Sequence, residues 1–173
     1  MPDVEVIAEG TFGGATAVTF SAISQDYQHL CLDLRTSSVD TGVDSREFGI
    51  QINGETSDYG YGSMYIYDGY SFTGAASHGT GTANMGMFPS QSDDTERRGA
   101  IKCWFGNYSQ TDMNPSWLCS IIGVQYNDEA GSTYASSVGS RASTDAITSI
   151  TVLSNSGNFD SDSRYCMYGW KVA

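Results

Sequence analysis

Basic residues are scarce in this sequence, and their scarcity argues against several classes of function. Only 8 of the 173 residues are Lys or Arg, against 20 Asp or Glu, which gives a net charge of −12 and a pI near 4.2. Affinity for nucleic acid comes mostly from clustered Lys and Arg, so nucleic-acid binding is not expected. The same shortage disfavours anionic membrane surfaces. We therefore expect neither nucleic acid nor a membrane as a partner.

Charged residues and long apolar runs are also in short supply. Charged residues make up 16% of the chain, too few for the compositions typical of coiled coils and helical bundles. No apolar run reaches the length of a membrane-spanning helix. Residues 1–10 contain neither Lys nor Arg, so we expect no signal peptide and synthesis in the cytoplasm. The length suits one domain, and we predict a single domain over residues 1–173.

Metal-ligating and redox motifs are missing as well. The four cysteines form no CxxC pair, and the two histidines have no second ligand at zinc spacing, so no metal site and no cofactor is predicted. Each cysteine lies in an apolar or alternating run, where a free thiol behaves as a small hydrophobic group. Because synthesis is expected in the cytosol, we predict buried free thiols rather than disulfides. These cysteines are Cys31, Cys103, Cys119 and Cys166.

What the sequence does contain is hydrophobicity with a period of two. Apolar and polar residues alternate in segments such as 30–34, 48–52 and 101–105, as in strands with one face in a core. Strands recur every ten to twenty residues with turn residues between them, and this predicts an all-β, antiparallel β-sandwich or jelly roll. Segment 117–126 is more continuously apolar, which predicts a strand buried on both faces.

Several connections can be predicted too. Asn53-Gly54 directly follows an alternating run and predicts a hairpin turn, and Asp68-Gly69 predicts another turn. Segments 73–84 and 90–99 show no alternation and predict surface loops. The best helical candidate is a single turn within 22–29.

Catalytic constellations are not recognisable in the chain. Glycosidases use paired carboxylates, but the pair Asp160 and Asp162 lies in a predicted turn, and other acidic residues cluster in the loop 90–99. Rigid elements normally hold catalytic groups, so a glycan-cleaving enzyme is the weakest hypothesis. Asn158 with these two aspartates copies the first half of a Ca²⁺ loop but lacks its glycine and closing glutamate, so we expect a polar turn. No catalytic residue and no enzyme activity are predicted.

Tyrosines cluster in the middle of the chain and are the candidate contact residues. They are Tyr59, Tyr61, Tyr65, Tyr67 and Tyr70. On a strand over 63–68, Met64 and Ile66 are predicted to face inward, which leaves Tyr65 and Tyr67 on the opposite face. Tyrosine offers a large, rigid contact area, which suits a protein interface or a sugar-stacking site. The alternative is an aromatic face covered by a neighbouring loop.

Three stretches form a recognisable combination along almost the whole chain. They are GTFGGATAVTF at 10–20 with ISQDYQHL at 23–30, FGIQINGE at 48–55, and AITSITVL at 146–153 with GNF at 157–159 and SRYCMYGWK at 163–171. Together they resemble a family of short β-sandwich virion proteins encoded by tailed bacteriophages. This chain has Tyr165, Met167 and Trp170 where the family usually has Phe, Leu and Ile, exchanges that are compatible with a core.

The resemblance implies a non-enzymatic component of the virion, assembled in the host cytoplasm. The chain has no heptads or repeats from which to build a long shaft, which favours a capsid decoration protein or a small knob. The alternative is a tail-fibre or tail-tip module that recognises host surface glycans. Expected partners are other virion proteins, further copies of the chain in a homo-oligomer and, in the alternative, a host glycan.

Overall fold

The computed structural model describes residues 3–39, 45–67, 71–89, 99–125, 131–155 and 157–171. Over these ranges the chain forms β-strands and no helix, and accordingly no helix able to cross a membrane occurs there. The strands are β1 Asp3–Thr11, β2 Ala17–Phe20, β3 His29–Thr36, β4 Ser45–Ile52, β5 Tyr59–Tyr67, β6 Ser71–Thr80, β7 Ala83–Pro89, β8 Gly99–Gly106, β9 Ser116–Gln125, β10 Gly131–Arg141, β11 Ile150–Ser154 and β12 Arg164–Lys171.

The strands form two antiparallel sheets. The large sheet has eight strands in the order β1-β12-β3-β8-β9-β10-β5-β6, and the small sheet has four in the order β2-β11-β4-β7. Strand β7 of the small sheet lies against β5, β9 and β10 of the large sheet. The predicted all-β, antiparallel β-sandwich is confirmed.

The core lies between the sheets and is built from alternate residues of each strand. In β8 every second residue is buried, including Ile101 and Phe105, and the residues between them are exposed. From the small sheet, Phe48, Ile50 and Ile52 of β4 are completely buried. This alternation follows from the pleat, which points successive side chains to opposite faces of a strand.

Two predicted irregular segments differ in the structure. Segment 73–84 is not a loop: most of it belongs to β6 and β7. Its small residues carry no apolar periodicity, but their backbones pair with neighbouring strands, which the prediction could not see. Segment 22–29 contains no helical turn, and Ala22 has a φ of 54°, outside the helical region. Of the predicted loop 90–99, only Gly99 is described, and it begins β8.

The turn at Asn53-Gly54 is present, with φ of 56° and 71° at the two residues. It does not form a hairpin, because β4 and β5 belong to different sheets. The Asn53 side chain instead accepts hydrogen bonds from the amides of Thr148 (2.8 Å) and Ser149 (3.1 Å). The residue therefore ties a crossover between the sheets to the segment before β11. The predicted turn at 68–69 lies outside the described residues.

The prediction of four free thiols is wrong for two of them. Cys103 on β8 and Cys119 on β9 are direct cross-strand partners, with Cα atoms 4.1 Å apart, and they form a disulfide in the core. Cys31 is a buried free thiol, and Cys166 is free and half-buried. The spacing along the chain could not reveal the bond, because it depends on the register between two strands.

Candidate functional site

The large sheet has an outer face, which points away from the small sheet. Its residues alternate with core residues along β1, β3, β5, β6, β8, β9, β10 and β12. In the described part of the chain, all the large exposed hydrophobic side chains except Val39 and Met113 lie on this outer face. They are Val4, Val6, Met64, Trp104, Leu118, Ile122, Tyr134 and Val138.

An apolar row crosses this outer face from strand to strand. Cross-strand pairing places one apolar residue beside the next on β1, β12, β3, β8, β9 and β10. The apolar row consists of Val6, Tyr168, Cys31, Trp104, Leu118 and Val138. Because neighbouring strands lie about 4.8 Å apart, six adjacent positions make a stripe about 24 Å long.

Strand β9 carries apolar residues on both of its faces. The prediction that both faces are buried is wrong, because only one of them lies in the core. Cys119 and Ile121 are completely buried, but Leu118 is 43% and Ile122 63% exposed. The small sheet covers only one side of the large sheet, so the second apolar face has no cover within the described residues. A solvated face of an antiparallel sheet is typically polar, so the exposed Leu118 and Ile122 depart from that pattern.

Three aromatic residues form a cluster at the β12 side of the apolar row. The rings of Trp104 and Trp170 have centroids 4.9 Å apart, and those of Tyr168 and Trp170 are 6.4 Å apart. Trp104 is 40% exposed, and the other two are half-buried. The Lys102 ammonium lies 6.0 Å from the Trp104 ring centroid. The sequence analysis did not single out this cluster, because its members come from different strands and only the sheet brings them together.

Basic residues gather in a groove at one end of the outer face. The groove has a volume of about 990 Å³, and its lining includes Arg35, Lys102, Arg164, Ile122 and Tyr168. The Lys102 ammonium lies 3.3 Å from the Asp33 carboxylate. Glu9 and Asp33 also line the groove, so it carries three basic and two acidic side chains. Basic residues are therefore in the majority here, although acidic residues outnumber them in the whole chain.

Two of the predicted contact tyrosines are held by the core. Tyr59 is completely buried, and its hydroxyl accepts a hydrogen bond from the Ile52 amide at 2.6 Å. Burial raises the pKa of Tyr59, which keeps the hydroxyl protonated. Tyr61 is half-buried and packs against the core. The Tyr59 side chain thus has a structural role in this chain and is not accessible to a partner.

The remaining tyrosine candidates, Tyr65, Tyr67 and Tyr70, follow Met64 in the sequence. Met64 is 51% exposed on the outer face, whereas Ser63 is 4% exposed. The prediction that Met64 faces inward is therefore wrong, because the register places Ser63 on the core side. Tyr70 lies outside the described residues, and so do the side chains of Tyr65 and Tyr67.

Asp160 has a structural role in the turn before β12. Its side chain is 8% exposed, and its carboxylate accepts hydrogen bonds from the Ser37 hydroxyl (3.2 Å) and the Asp162 amide (3.1 Å). The polar turn predicted there is found at residues 161–162. Among the residues that the structure describes, no three His, Cys, Asp or Glu side chains are grouped to hold a metal ion.

Comparison with known proteins does not assign this chain to a family. No protein-family model and no curated protein sequence matches this chain. Solved structures that it resembles weakly include a marine PL-14 alginate lyase from Aplysia kurodai (11% identity, 86% of this chain and 70% of that chain, TM-score 0.27). Others are the infectious bursal disease virus Gx strain (13%, 98% and 40%, TM-score 0.15) and a VP2 subviral particle of the same virus (8%, 98% and 40%, TM-score 0.15). The chain spans less than half of each viral chain, and TM-scores this low carry no functional inference.

Proposed function

We propose that this protein is a non-enzymatic structural protein on the surface of a tailed-phage virion, a capsid decoration protein or a small knob. In this proposal it attaches to the particle through the outer face of the large sheet. The supporting observation is the apolar row, which leaves Trp104, Leu118 and Val138 exposed on three successive strands. Contiguous exposed apolar surface of this kind marks interaction sites on soluble proteins.

The outer face is large enough for a stable attachment. Eight strands spaced about 4.8 Å apart make it about 34 Å wide, and an eight-residue strand at about 3.3 Å per residue makes it about 26 Å long. Strands β3, β8 and β12 have this length. The resulting area is about 900 Å², and each partner in a standard protein interface contributes about 800 Å².

The charge on the outer face also suits an interface. Its described charged side chains are Glu9, Asp33, Arg35, Lys102 and Arg164. Acidic residues outnumber basic ones by 20 to 8 in the whole chain, but they do not predominate here. An acidic partner would therefore meet less repulsion at this face than at the rest of the surface. The small number of charges also suits an interface, since interface cores are typically depleted in charge.

The disulfide between Cys103 and Cys119 is compatible with a protein that works outside the cell. Disulfides form and persist in oxidising surroundings and are rare in the cytosol. A virion component assembles in the cytoplasm and meets such surroundings after release. The proposal that the particle is a phage virion rests on the resemblance of the sequence to virion proteins of tailed bacteriophages.

Copy number in purified particles tests this proposal. Quantitative mass spectrometry should find the protein in virions at many copies for a decoration protein and at few for a tail knob. Leu118→Asp places a charge in the apolar row and should abolish rebinding to particles that lack the protein. Thr19→Asp adds the same charge on the small sheet and should rebind normally. Absence of the protein from virions, or normal rebinding of Leu118→Asp, would refute the proposal.

A second candidate is a tail-fibre or tail-tip module that binds host surface glycans. The aromatic cluster of Trp104, Tyr168 and Trp170 favours it, since exposed aromatic rings provide rigid surfaces on which sugars can stack. On a glycan array, Trp104→Ala should lose binding and Trp104→Phe should keep part of it. Binding of no glycan by the folded protein, or unchanged binding by Trp104→Ala, would count against this candidate.

A further inference from the structure

We propose that the groove at the basic end of the outer face binds an acidic saccharide, with the carboxylate or sulfate of one sugar held between Arg35 and Arg164. The neighbouring sugar rings would extend along the strands towards the aromatic cluster. This inference deepens the second candidate function and rests on it, because it names the class of glycan.

The first observation is an unfavourable pair of like charges. Arg164 on β12 and Arg35 on β3 are direct cross-strand partners, and both are exposed on the outer face. Like charges that stand directly opposite each other destabilise a sheet. An anion bound between the two guanidinium groups would turn this repulsion into two attractions.

The second observation concerns the charged residues around this pair. Among the described residues, no carboxylate lies within ion-pair distance of either arginine. Their other cross-strand partners are Thr11 and Ala100, which carry no charge. The nearby Asp33 is engaged by Lys102 at 3.3 Å. Glu9 also lines the groove but forms no ion pair with either arginine. Both guanidinium groups therefore remain available to a ligand.

The shape of the groove fits a sugar better than an isolated ion. Its volume of about 990 Å³ is at the upper end of the range for small-molecule sites, which is about 300–1,000 Å³. Tyr165 and Tyr168 line it beside the arginines. Arg35 lies four residues from Cys31 of the apolar row, or about 13 Å along the strand. A short oligosaccharide can span that distance and contact both the arginine pair and Trp104.

Arginine is suited to this recognition. Its planar guanidinium group donates two parallel hydrogen bonds to a carboxylate, and sulfate offers similarly placed oxygens. A long polyanion such as nucleic acid would be repelled by the net charge of −12 on the whole chain. A single acidic group on a sugar requires only local positive charge.

Binding measurements on the full chain test the proposal. The probes are trigalacturonate, its methyl ester, sialyllactose, a sulfated chondroitin disaccharide, neutral maltotriose, and sodium acetate and sulfate alone. Calorimetry and tryptophan fluorescence should show saturable binding of at least one acidic saccharide. For trigalacturonate we expect binding at least tenfold tighter than for its methyl ester, and weaker as salt rises.

Variants identify the arginine pair as the site. Arg35→Gln and Arg164→Gln should each weaken binding of the acidic probe at least tenfold. Lys171→Gln removes the same charge from the far end of β12 and should bind as the wild type does. Because Arg164→Gln removes the like-charge repulsion, this variant should also be at least as heat-stable as the wild type at low salt. A variant that lost binding because it misfolded would instead melt at a lower temperature.

The outcomes are distinct. The inference fails if no acidic saccharide binds, if the two arginine variants bind normally, or if Lys171→Gln weakens binding equally. It also fails if acetate or sulfate alone binds as tightly as the saccharides, because the site would then recognise only a free anion. Equal binding of neutral and acidic glycans would overturn the inference but support the second candidate function. The virion proposal is judged separately, by particle composition and by Leu118→Asp.

Discussion

Reducing the bond between Cys103 and Cys119 should lower the free energy of unfolding by about 3 kcal/mol. The two residues are 16 positions apart, and closing a loop of about 15 residues stabilises a protein by about 3 kcal/mol through the entropy of the unfolded chain. For a chain of this length, 1 kcal/mol shifts the melting temperature by about 2–4 °C. Reduction should therefore lower the melting temperature by about 6–12 °C.

Thermal unfolding with and without a reductant measures this effect, and thiol counting shows whether the bond is present. Under denaturing conditions without reductant, iodoacetamide should label Cys31 and Cys166 but neither partner of the bond. The double variant Cys103→Ala, Cys119→Ala should melt below the oxidised wild type and should no longer respond to reductant. Labelling of all four cysteines in oxidised protein, or an unchanged melting temperature on reduction, would refute the reasoning.

Three further predictions concern single residues. Tyr59→Phe removes a hydroxyl that satisfies a buried amide of β4, so urea unfolding should show a loss of about 1–3 kcal/mol; an unchanged midpoint would contradict this. Gly169→Ala would place a Cβ in steric conflict with the ring of Tyr27 and should cost about 1–3 kcal/mol in the same assay. Gly62→Ala, whose Cβ would have its nearest neighbour at 3.8 Å, should cost less. Burial raises the pKa of Cys31 from 9.0 to about 12. The stability contributed by this thiol is therefore complete below pH 9.0 and is lost as the pH rises towards about 12. Urea unfolding midpoints measured across that range should fall, and the midpoint of Cys31→Ala should fall less.

The two candidate functions use overlapping parts of the outer face, and two residues separate them. Leu118 lies in the apolar row on β9, and Trp104 lies beside it on β8 within the aromatic cluster. A protein interface across the whole face depends on both side chains, whereas stacking of a sugar depends on Trp104. If Leu118→Asp loses particle binding but keeps glycan binding, both functions are supported. If it loses neither, attachment through this face is wrong.

Much of the fold could be predicted from local patterns. The alternation over 101–105 predicted which residues of β8 are buried, and Asn53-Gly54 predicted a turn with positive φ. Both are local properties, since the pleat and the backbone angles depend on neighbouring residues. Met64 was misassigned because the alternation of β5 is weak, with Gly60, Gly62 and Ser63 in place of large apolar residues.

The candidate site was much less predictable. The tyrosines 59–70 stood out because they are neighbours in sequence, but the side chain of Tyr59 lies in the core. Trp104, Tyr168 and the pair of arginines did not stand out, because each is an ordinary residue of its own strand. The continuously apolar segment 117–126 is the one sequence signal for the outer face, because it predicts a strand with apolar residues on both sides.

Alternation of apolar and polar residues is a property of each segment, so it is sufficient to predict that the chain forms strands and, in most of them, which side faces a core. Which strands become neighbours in a sheet depends on the tertiary structure. That order pairs Cys103 with Cys119 and Arg35 with Arg164, and it aligns the apolar row on the outer face of the large sheet. Strand order and register arise from hydrogen bonds between segments far apart in the chain, so no local pattern encodes them.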